Sequence, residues 1–200
     1  ARAGSFGPGR MNEPGAALTP ARRYGVDGRT VAVFDGLLPE VGQHVEALAR
    51  APFTRTEVAR PETAQYKHWV NEIRLEVLTR QPILQTTLHA VASLGVGEYR
   101  PYRAYTNVAS YGDMLFTHTD CLPGQRELTA LWYLCTDWDQ EWGGETVFYD
   151  HAGELACAVR PRPGRLVIFD GTIVHAGRPP HRICYAPRYT LAIKLEPVQR

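Results

Sequence analysis

Residues 126–135 read RELTALWYLC, residues 165–170 read RLVIFD, and residues 188–195 read RYTLAIKL. Each stretch concentrates aromatic, β-branched and leucine side chains, and a Gly, Pro or Asp residue stands close to both ends. Such runs between turn-forming residues are typical of β-strands. Runs of the same kind are found at 99–111, 145–149 and 156–160. The short, regularly spaced strands predict an antiparallel sandwich or barrel in the second half of the chain.

The first half of the chain contains clearer helical patterns. Apolar residues recur at the spacing of one helix face within 39–50, and again within 82–94, which has a proline at its start and a glycine after its end. A short strand is predicted from Thr30 and another at 53–58, whereas 62–80 is left unassigned. The fold is therefore predicted to be α+β, mainly β, with an N-terminal helical layer packed on a jelly-roll-like β core.

The composition excludes several classes of protein. The chain has 200 residues, a formal net charge of +1, 44% hydrophobic residues and 22% charged residues. These values are ordinary for a globular protein and exclude a wholly disordered chain. The length suits one domain, which is predicted to span 24–200. Residues 1–23 are rich in Gly, Pro and Arg and predict a flexible arm, of which 1–10 precede Met11 and resemble a cloning remnant.

Charge and cysteine content bear on partners and location. A net charge near zero argues against a protein that coats nucleic acid or a membrane surface. No apolar run approaches the ~20 residues of a membrane span, and the N-terminus lacks a secretion signal. The cysteines are widely spaced without a C-x-x-C pair, which favours reduced thiols in a cytoplasmic protein over two disulfides in a secreted one. We therefore expect no nucleic-acid or membrane partner, and the oligomeric state is left open.

Three acidic or imidazole side chains in the β-rich half have the pattern of a metal site. The tripeptide His118-Thr119-Asp120 places an imidazole and a carboxylate on the same side of an extended chain, because side chains alternate. His175 follows the apolar run 166–169. Two histidines and one carboxylate can occupy one face of an octahedral metal, as in non-haem Fe(II) oxygenases. An H-x-D tripeptide by itself also fits a solvated turn.

Arg188, at the start of the last apolar run, strengthens the metal-site interpretation. A guanidinium can hold a carboxylate through two parallel hydrogen bonds. A dicarboxylate that chelates iron at one end requires such an anchor at the other. A surface salt bridge is the alternative interpretation of Arg188.

Four linked motifs carry a resemblance to a known family. They are SYGDMLFTHTD at 110–120, LTALWYLCTDWDQEWGGETVFYD at 128–150, VRPRPGRLVIFDGTIVHAGRPP at 159–180, and RYTLAIKL at 188–195. In this order they resemble the motifs of the prolyl-4-hydroxylase-like Fe(II)/2-oxoglutarate dioxygenases. The resemblance implies a double-stranded β-helix (a jelly-roll or cupin-like core) with supporting N-terminal helices.

The resemblance also implies roles for seven residues. The residues matching the family's Fe(II) ligands are His118, Asp120 and His175. The residues matching its 2-oxoglutarate contacts are Arg188, Tyr111, Tyr133 and Thr190, with Arg188 paired to the distal carboxylate. Many relatives carry a lysine in place of this arginine, at a shorter distance from the second histidine. Ordinary core packing is the alternative for both tyrosines, and no catalytic residue beyond the iron site and no substrate-binding residue is assigned.

The implied activity is that of a 2-oxoglutarate-dependent dioxygenase. It would use Fe(II), 2-oxoglutarate and O2, with ascorbate as an optional reductant. It would release succinate and CO2 while hydroxylating an unactivated C–H bond of a small molecule or an amino-acid side chain. Desaturation, cyclisation or demethylation with the same cofactors, and prolyl-type hydroxylation of a peptide or protein, are alternatives. A β-sandwich binding module with a vestigial site is the non-enzymatic alternative, and a zinc hydrolase would leave Arg188 without a role.

Overall fold

The computed structural model describes residues 18–198, which form two antiparallel β-sheets with helices against the larger one. The strands are β1 (Arg22–Val26), β2 (Arg29–Phe34), β3 (Thr54–Glu57), β4 (His68–Glu72), β5 (Tyr99–Ala109), β6 (Leu128–Leu134), β7 (Thr146–Tyr149), β8 (Leu155–Val159), β9 (Leu166–Asp170), β10 (Val174–Gly177) and β11 (Arg188–Pro197). The helices are α1 (Val41–Leu48), α2 (Leu75–Leu78) and α3 (Pro82–Ala92). The predicted class, mainly β with helices in the first half, is confirmed.

Strand β11 lies near the middle of the larger sheet. The larger sheet has the order β1-β2-β9-β6-β11-β5-β4-β3, and the smaller one has the order β10-β7-β8. Strand β11 is paired with β5 on one side and with β6 on the other. Because side chains alternate along a strand, every second residue of β11 faces the interior between the sheets. These residues are Arg188, Thr190, Ala192 and Lys194.

The opposite face of the larger sheet is covered by helices. Leu191 and Ile193 of β11 and Leu134 of β6 belong to one buried cluster with apolar residues of α1 and α3. Trp132 of β6 lies in the same cluster and is completely buried. Its indole Nε1 donates a hydrogen bond of 2.9 Å to Oγ1 of Thr87 in α3. This bond fixes the helix to the sheet at a point that water does not reach.

A second buried cluster fills part of the interior between the two sheets. Tyr133 of β6 and Phe169 of β9 meet Phe148 of β7 in this cluster. The rings of Phe148 and Phe169 pack edge to face with centroids 5.0 Å apart. The residues of β11 that face the interior lie beside this cluster and line a cavity.

The observed strands correct the sequence prediction in two places. The strands predicted from Thr30 and at 53–58 are present as β2 and β3, and the unassigned stretch 62–80 contains β4 and α2. Strand β10 was not predicted, because its four residues, VHAG, include only one β-branched side chain. Strand β1 was not predicted either, and it starts at Arg22, inside the predicted arm 1–23. Residues 1–17 of that arm lie outside the described residues.

Two further features of the structure concern the cysteine side chains and the lengths of the helices. The four cysteines, Cys121, Cys135, Cys157 and Cys184, are free thiols and all are buried. Within residues 18–198, no helix is long and apolar enough to cross a membrane.

We expect Thr87→Val to destabilise the protein by about 1–3 kcal/mol, because it leaves the buried indole N–H of Trp132 without an acceptor. The matched control is Thr86→Val in the same helix. Its hydroxyl also bonds to a carbonyl one turn earlier but holds no partner from the sheet. Urea unfolding of both variants measures the difference, and equal losses of stability would contradict the role given to the Trp132–Thr87 bond.

Candidate active site

Backbone hydrogen bonds bring the two histidines and Asp120 together. The amide of His118 donates to the carbonyl of His175, and the amide of His175 donates back, each at 3.0 Å. The amide of Asp120 donates to the carbonyl of Gly171 at 2.7 Å. One side-chain ligand atom from each of His118, Asp120 and His175 lies within 4.8 Å of the other two. The sequence prediction that these three residues share one site agrees with this placement.

The tautomers of the two histidines suit a metal. Nδ1 of His118 lies 3.0 Å from the carbonyl oxygen of Phe116, and Nδ1 of His175 lies 2.9 Å from that of Ile173. A carbonyl only accepts, so Nδ1 carries the proton in each neutral ring. The lone pair is then on Nε2, and these Nε2 atoms lie 3.4 Å and 3.5 Å from the carboxylate oxygens of Asp120. Hydrogen bonds from Nδ1 to a carbonyl oxygen, like the two described here, orient metal-ligating histidines in proteins.

The protonation states also suit a cation. Burial lowers the pKa of His175 to about 4, and the nearby His118 and Lys194 act in the same direction, so its ring is neutral at pH 7. Burial opposes ionisation of Asp120, but His175 and the Lys194 ammonium outweigh it and hold the pKa of Asp120 well below its usual value. The neutral imidazole of His175 and the carboxylate of Asp120 are therefore available to a divalent metal.

Asp120 is held by two residues that sequence reasoning did not assign. Oγ1 of Thr129 donates to Oδ2 of Asp120 at 2.5 Å, and the Lys194 ammonium contacts the same oxygen. Lys194 also donates to Oγ1 of Thr129 at 3.1 Å. Lys194 and Asp120 are both buried. Because Oδ2 is occupied, Oδ1 is the oxygen left to a metal. The only sequence feature that pointed to Lys194 was its position on the same strand face as Arg188 and Thr190.

A cavity that is partly open to solvent lies next to these residues. Arg188 lines it and is only 4% exposed. Its Nε donates to the carbonyl of Gly144 at 2.6 Å, and its Nη2 donates to Oγ1 of Thr146 at 3.0 Å. No carboxylate among residues 18–198 forms an ion pair with it, in contrast to Lys194. Arginine stays charged even where burial lowers its pKa, as it does here. Arg188 is thus a buried cation without a counter-charge.

Thr190 and Tyr133, which were also predicted to contact 2-oxoglutarate, differ in whether they reach the cavity. Thr190 lines the cavity. Tyr133 is fully buried behind Arg188, with its ring centre 5.2 Å from the guanidinium carbon. The Tyr133 hydroxyl lies 2.6 Å from Oγ1 of Thr146 and 2.8 Å from the carbonyl of Val159, so it is already occupied by the protein. Tyr133 therefore supports Arg188 rather than facing the cavity.

Tyr111, the remaining predicted 2-oxoglutarate contact, does not line the cavity. It is 66% exposed. The chain leaves β5 in a turn in which the amide of Ser110 donates to the side chain of Asp113 and the amide of Asp113 donates to the carbonyl of Ser110. This turn places Tyr111 at an outer corner. Sequence spacing gave no indication of where the turn would point.

The family sequence model of the 2OG-Fe(II) oxygenase superfamily matches residues 106–193 of this chain. This range contains His118, Asp120, His175 and Arg188. This segment belongs to that superfamily. The match indicates a 2-oxoglutarate-dependent oxygenase, an activity that uses Fe(II), 2-oxoglutarate and O2. No curated protein matches the chain in sequence.

Solved structures share its fold. A prolyl-4-hydroxylase from Pseudomonas putida is 18% identical with a TM-score of 0.60, over 84% of this chain and 93% of that chain. A prolyl hydroxylase from Trichoplax adhaerens, in complex with a hypoxia inducible factor peptide fragment, is 18% identical with a TM-score of 0.63, over 83% of each chain. SnoN, a non-heme α-ketoglutarate-dependent epimerase of nogalamycin biosynthesis, is 17% identical with a TM-score of 0.63, over 84% of this chain and 77% of that chain. These similarities confirm the double-stranded β-helix.

We expect Gly144→Ala to weaken 2-oxoglutarate binding through Arg188. The φ of Gly144 is +78°, and an added Cβ would lie 2.9 Å from the Trp138 ring and 3.3 Å from Cδ of Arg188. The control is Gly153→Ala, with a φ of +80° and open space around the added atom. Both variants should lose about 1–2 kcal/mol of stability from the backbone strain.

Gly144→Ala should lose a further ~1–3 kcal/mol from the close contacts. Calorimetric titration with 2-oxoglutarate compares the two variants. Equal affinities would show that the position of Arg188 does not depend on this glycine.

Proposed function

We propose that His118, Asp120 and His175 bind Fe(II) and that Arg188 binds the distal carboxylate of 2-oxoglutarate. One observation carries this proposal: Arg188 is buried beside the His-Asp-His cluster and has no carboxylate partner among the described residues. An uncompensated buried charge costs several kcal/mol. A dicarboxylate in the cavity would supply the missing negative charge and would place its other end toward the cluster.

Arg188 is a better anchor than Lys194, although both are cations of the same strand face. Lys194 is already neutralised by Asp120 and bonded to Thr129. Arg188 uses Nε and Nη2 for Gly144 and Thr146, and these bonds fix the plane of its guanidinium. Its remaining N–H groups can hold a carboxylate in the paired geometry that an ammonium does not provide.

The chain's own residues orient the reactants. The Nδ1 bonds of His118 and His175 fix both rings, and Thr129 and Lys194 restrain Asp120. When bound, Fe(II) supplies the site at which O2 oxidises 2-oxoglutarate to succinate and CO2 and a C–H bond of the substrate is hydroxylated. Phe169 and Leu131 line the cavity and reduce its water content.

The proposed outcome is hydroxylation of a small molecule or an amino-acid side chain, as expected from the sequence. Desaturation, cyclisation and demethylation use the same residues, and a peptide substrate is the main alternative class of partner. Coupled O2 uptake and succinate release test the activity. Mass spectrometry of the product made under ¹⁸O₂ separates hydroxylation from the other outcomes. A protein that consumes no 2-oxoglutarate with Fe(II) and O2 present would exclude the proposal.

Replacing Arg188 with Met should weaken 2-oxoglutarate binding at least about 30-fold. The loss of one partner from a desolvated charge pair costs roughly 2–5 kcal/mol. Arg188→Lys should lose less, because the charge remains but the planar fork is lost. Arg182→Met, which makes the same charge change at an exposed position of the preceding loop, is the control. Anaerobic calorimetry gives the affinities, and a wild-type affinity in Arg188→Met would assign the carboxylate to another cation.

Replacing His175 with Ala should abolish tight Fe(II) binding, because only two of the three proposed ligands remain. The fold should be retained. His151→Ala is the control, since the side chain of His151 is 72% exposed and lies away from the cluster. Anaerobic Fe(II) titration measures the affinity, and circular dichroism verifies the fold. If His175→Ala binds Fe(II) as the wild type does, the ligand assignment is wrong.

A further inference from the structure

A second hollow adjoins the cavity and shares His118 and Asp120 with it, but it is not lined by Arg188. It is partly open to solvent and lies between strands β3 to β5 and the loop around Thr119. The residues lining both spaces are His68, Tyr105, Asn107, His118, Asp120 and Lys194. Arg188 does not line the second hollow. A molecule in this hollow would therefore reach the cluster without occupying the position of the 2-oxoglutarate anchor.

His68 stands where the two spaces meet, and its Nε2 lacks a partner. Among residues 18–198, this is the only buried side-chain nitrogen or oxygen without a hydrogen bond. An unsatisfied buried polar atom costs about 1–3 kcal/mol. Such an atom at the wall of a binding cavity is explained if a ligand completes its hydrogen bond.

The chemistry of the His68 ring indicates which kind of group it can bind. Burial lowers the pKa of His68, and the nearby His118 lowers it further, so the ring is neutral at pH 7. The Met114 backbone acts in the opposite direction, as a carbonyl does beside a ring N–H. Because Nε2 has no hydrogen-bond partner, we place the ring proton on Nδ1. The Nε2 atom then carries a lone pair and can only accept.

The charges of the second hollow disfavour an anionic ligand. Its two cations are Arg103 and Lys194. Arg103 binds Glu57 through two hydrogen bonds of 3.2 Å and 2.9 Å and also contacts Glu72. Lys194 is paired with Asp120. Neither cation is free to hold a carboxylate or a phosphate, so a neutral or cationic polar group fits the hollow better.

We propose that His68 is a substrate-binding residue whose Nε2 accepts a hydrogen bond from a hydroxyl, amide or ammonium group of the substrate in the second hollow. This proposal rests on the proposed function of the cluster. It names the substrate class as a neutral or cationic molecule or side chain with a hydrogen-bond donor close to the oxidised carbon. His68 would thereby select which C–H bond faces the metal site.

The test uses the wild-type chain with ¹⁵N-labelled histidine, and NMR follows the His68 Nε2 resonance. That resonance is assigned by its absence in His68→Phe. The donor probes are glycinamide, L-prolinamide and glycerol, and the acceptor-only probe is acetate. We expect at least one donor probe to shift the Nε2 resonance at millimolar concentration, and acetate to leave it unchanged. If no donor probe shifts it, or if acetate shifts it equally, the proposal is overturned.

Two further measurements separate a failure of this proposal from a failure of the proposed function. His68→Phe should keep the Fe(II) and 2-oxoglutarate affinities of the wild type, because His68 is neither one of the three proposed ligands nor the proposed 2-oxoglutarate anchor. Its stability to urea should fall no further than that of the control variant, because loss of the interaction with Met114 is offset by removal of an unsatisfied polar atom. The control is His44→Phe, a half-buried histidine of α1 outside both spaces. A His68→Phe variant that is clearly less stable than His44→Phe would assign His68 a structural role and overturn the proposal. A wild type that binds neither Fe(II) nor 2-oxoglutarate would refute the proposed function alone.

Discussion

Two cationic side chains are buried on one face of a single strand, and the site is organised around how their charges are compensated. Lys194 is neutralised by Asp120, and this contact also restrains the carboxylate beside the two histidines. Arg188 receives only neutral acceptors from the protein. Because side chains alternate along a strand, both cations of β11 face the interior. Lys194 positions Asp120 there, and the charge of Arg188 is left for a ligand to compensate.

The histidines are positioned by the backbone and do not need a metal to come together. His118 and His175 exchange two amide hydrogen bonds, which join the loop before β6 to the edge of the smaller sheet at β10. The ring of His175 packs between Phe148 and Phe169. Metal binding to such a preformed site requires little reorganisation, and the cost of ordering the ligands is met during folding.

The sequence predicted the parts of the molecule whose signals are local or belong to linked motifs. Helix α3 was predicted closely because Pro82 and the glycine after its end mark both boundaries. The His-Asp-His cluster was predicted because its residues lie in recognisable motifs. The contact of Lys194 with Asp120 and the unpartnered Nε2 of His68 could not be predicted, because each depends on segments far apart in the chain. The exposed position of Tyr111 could not be predicted either, because its turn is directed by the hydrogen bonds between Ser110 and Asp113.

The Tyr133 hydroxyl has a consequence for how the molecule can move. It joins β6 of the larger sheet to β7 and β8 of the smaller one, and Arg188 adds a bond to Thr146 at the same end. These bonds restrain the separation of the two sheets at the end of the interior where Arg188 lies. The width of the cavity at Arg188 is therefore set by the protein's own hydrogen bonds between the sheets.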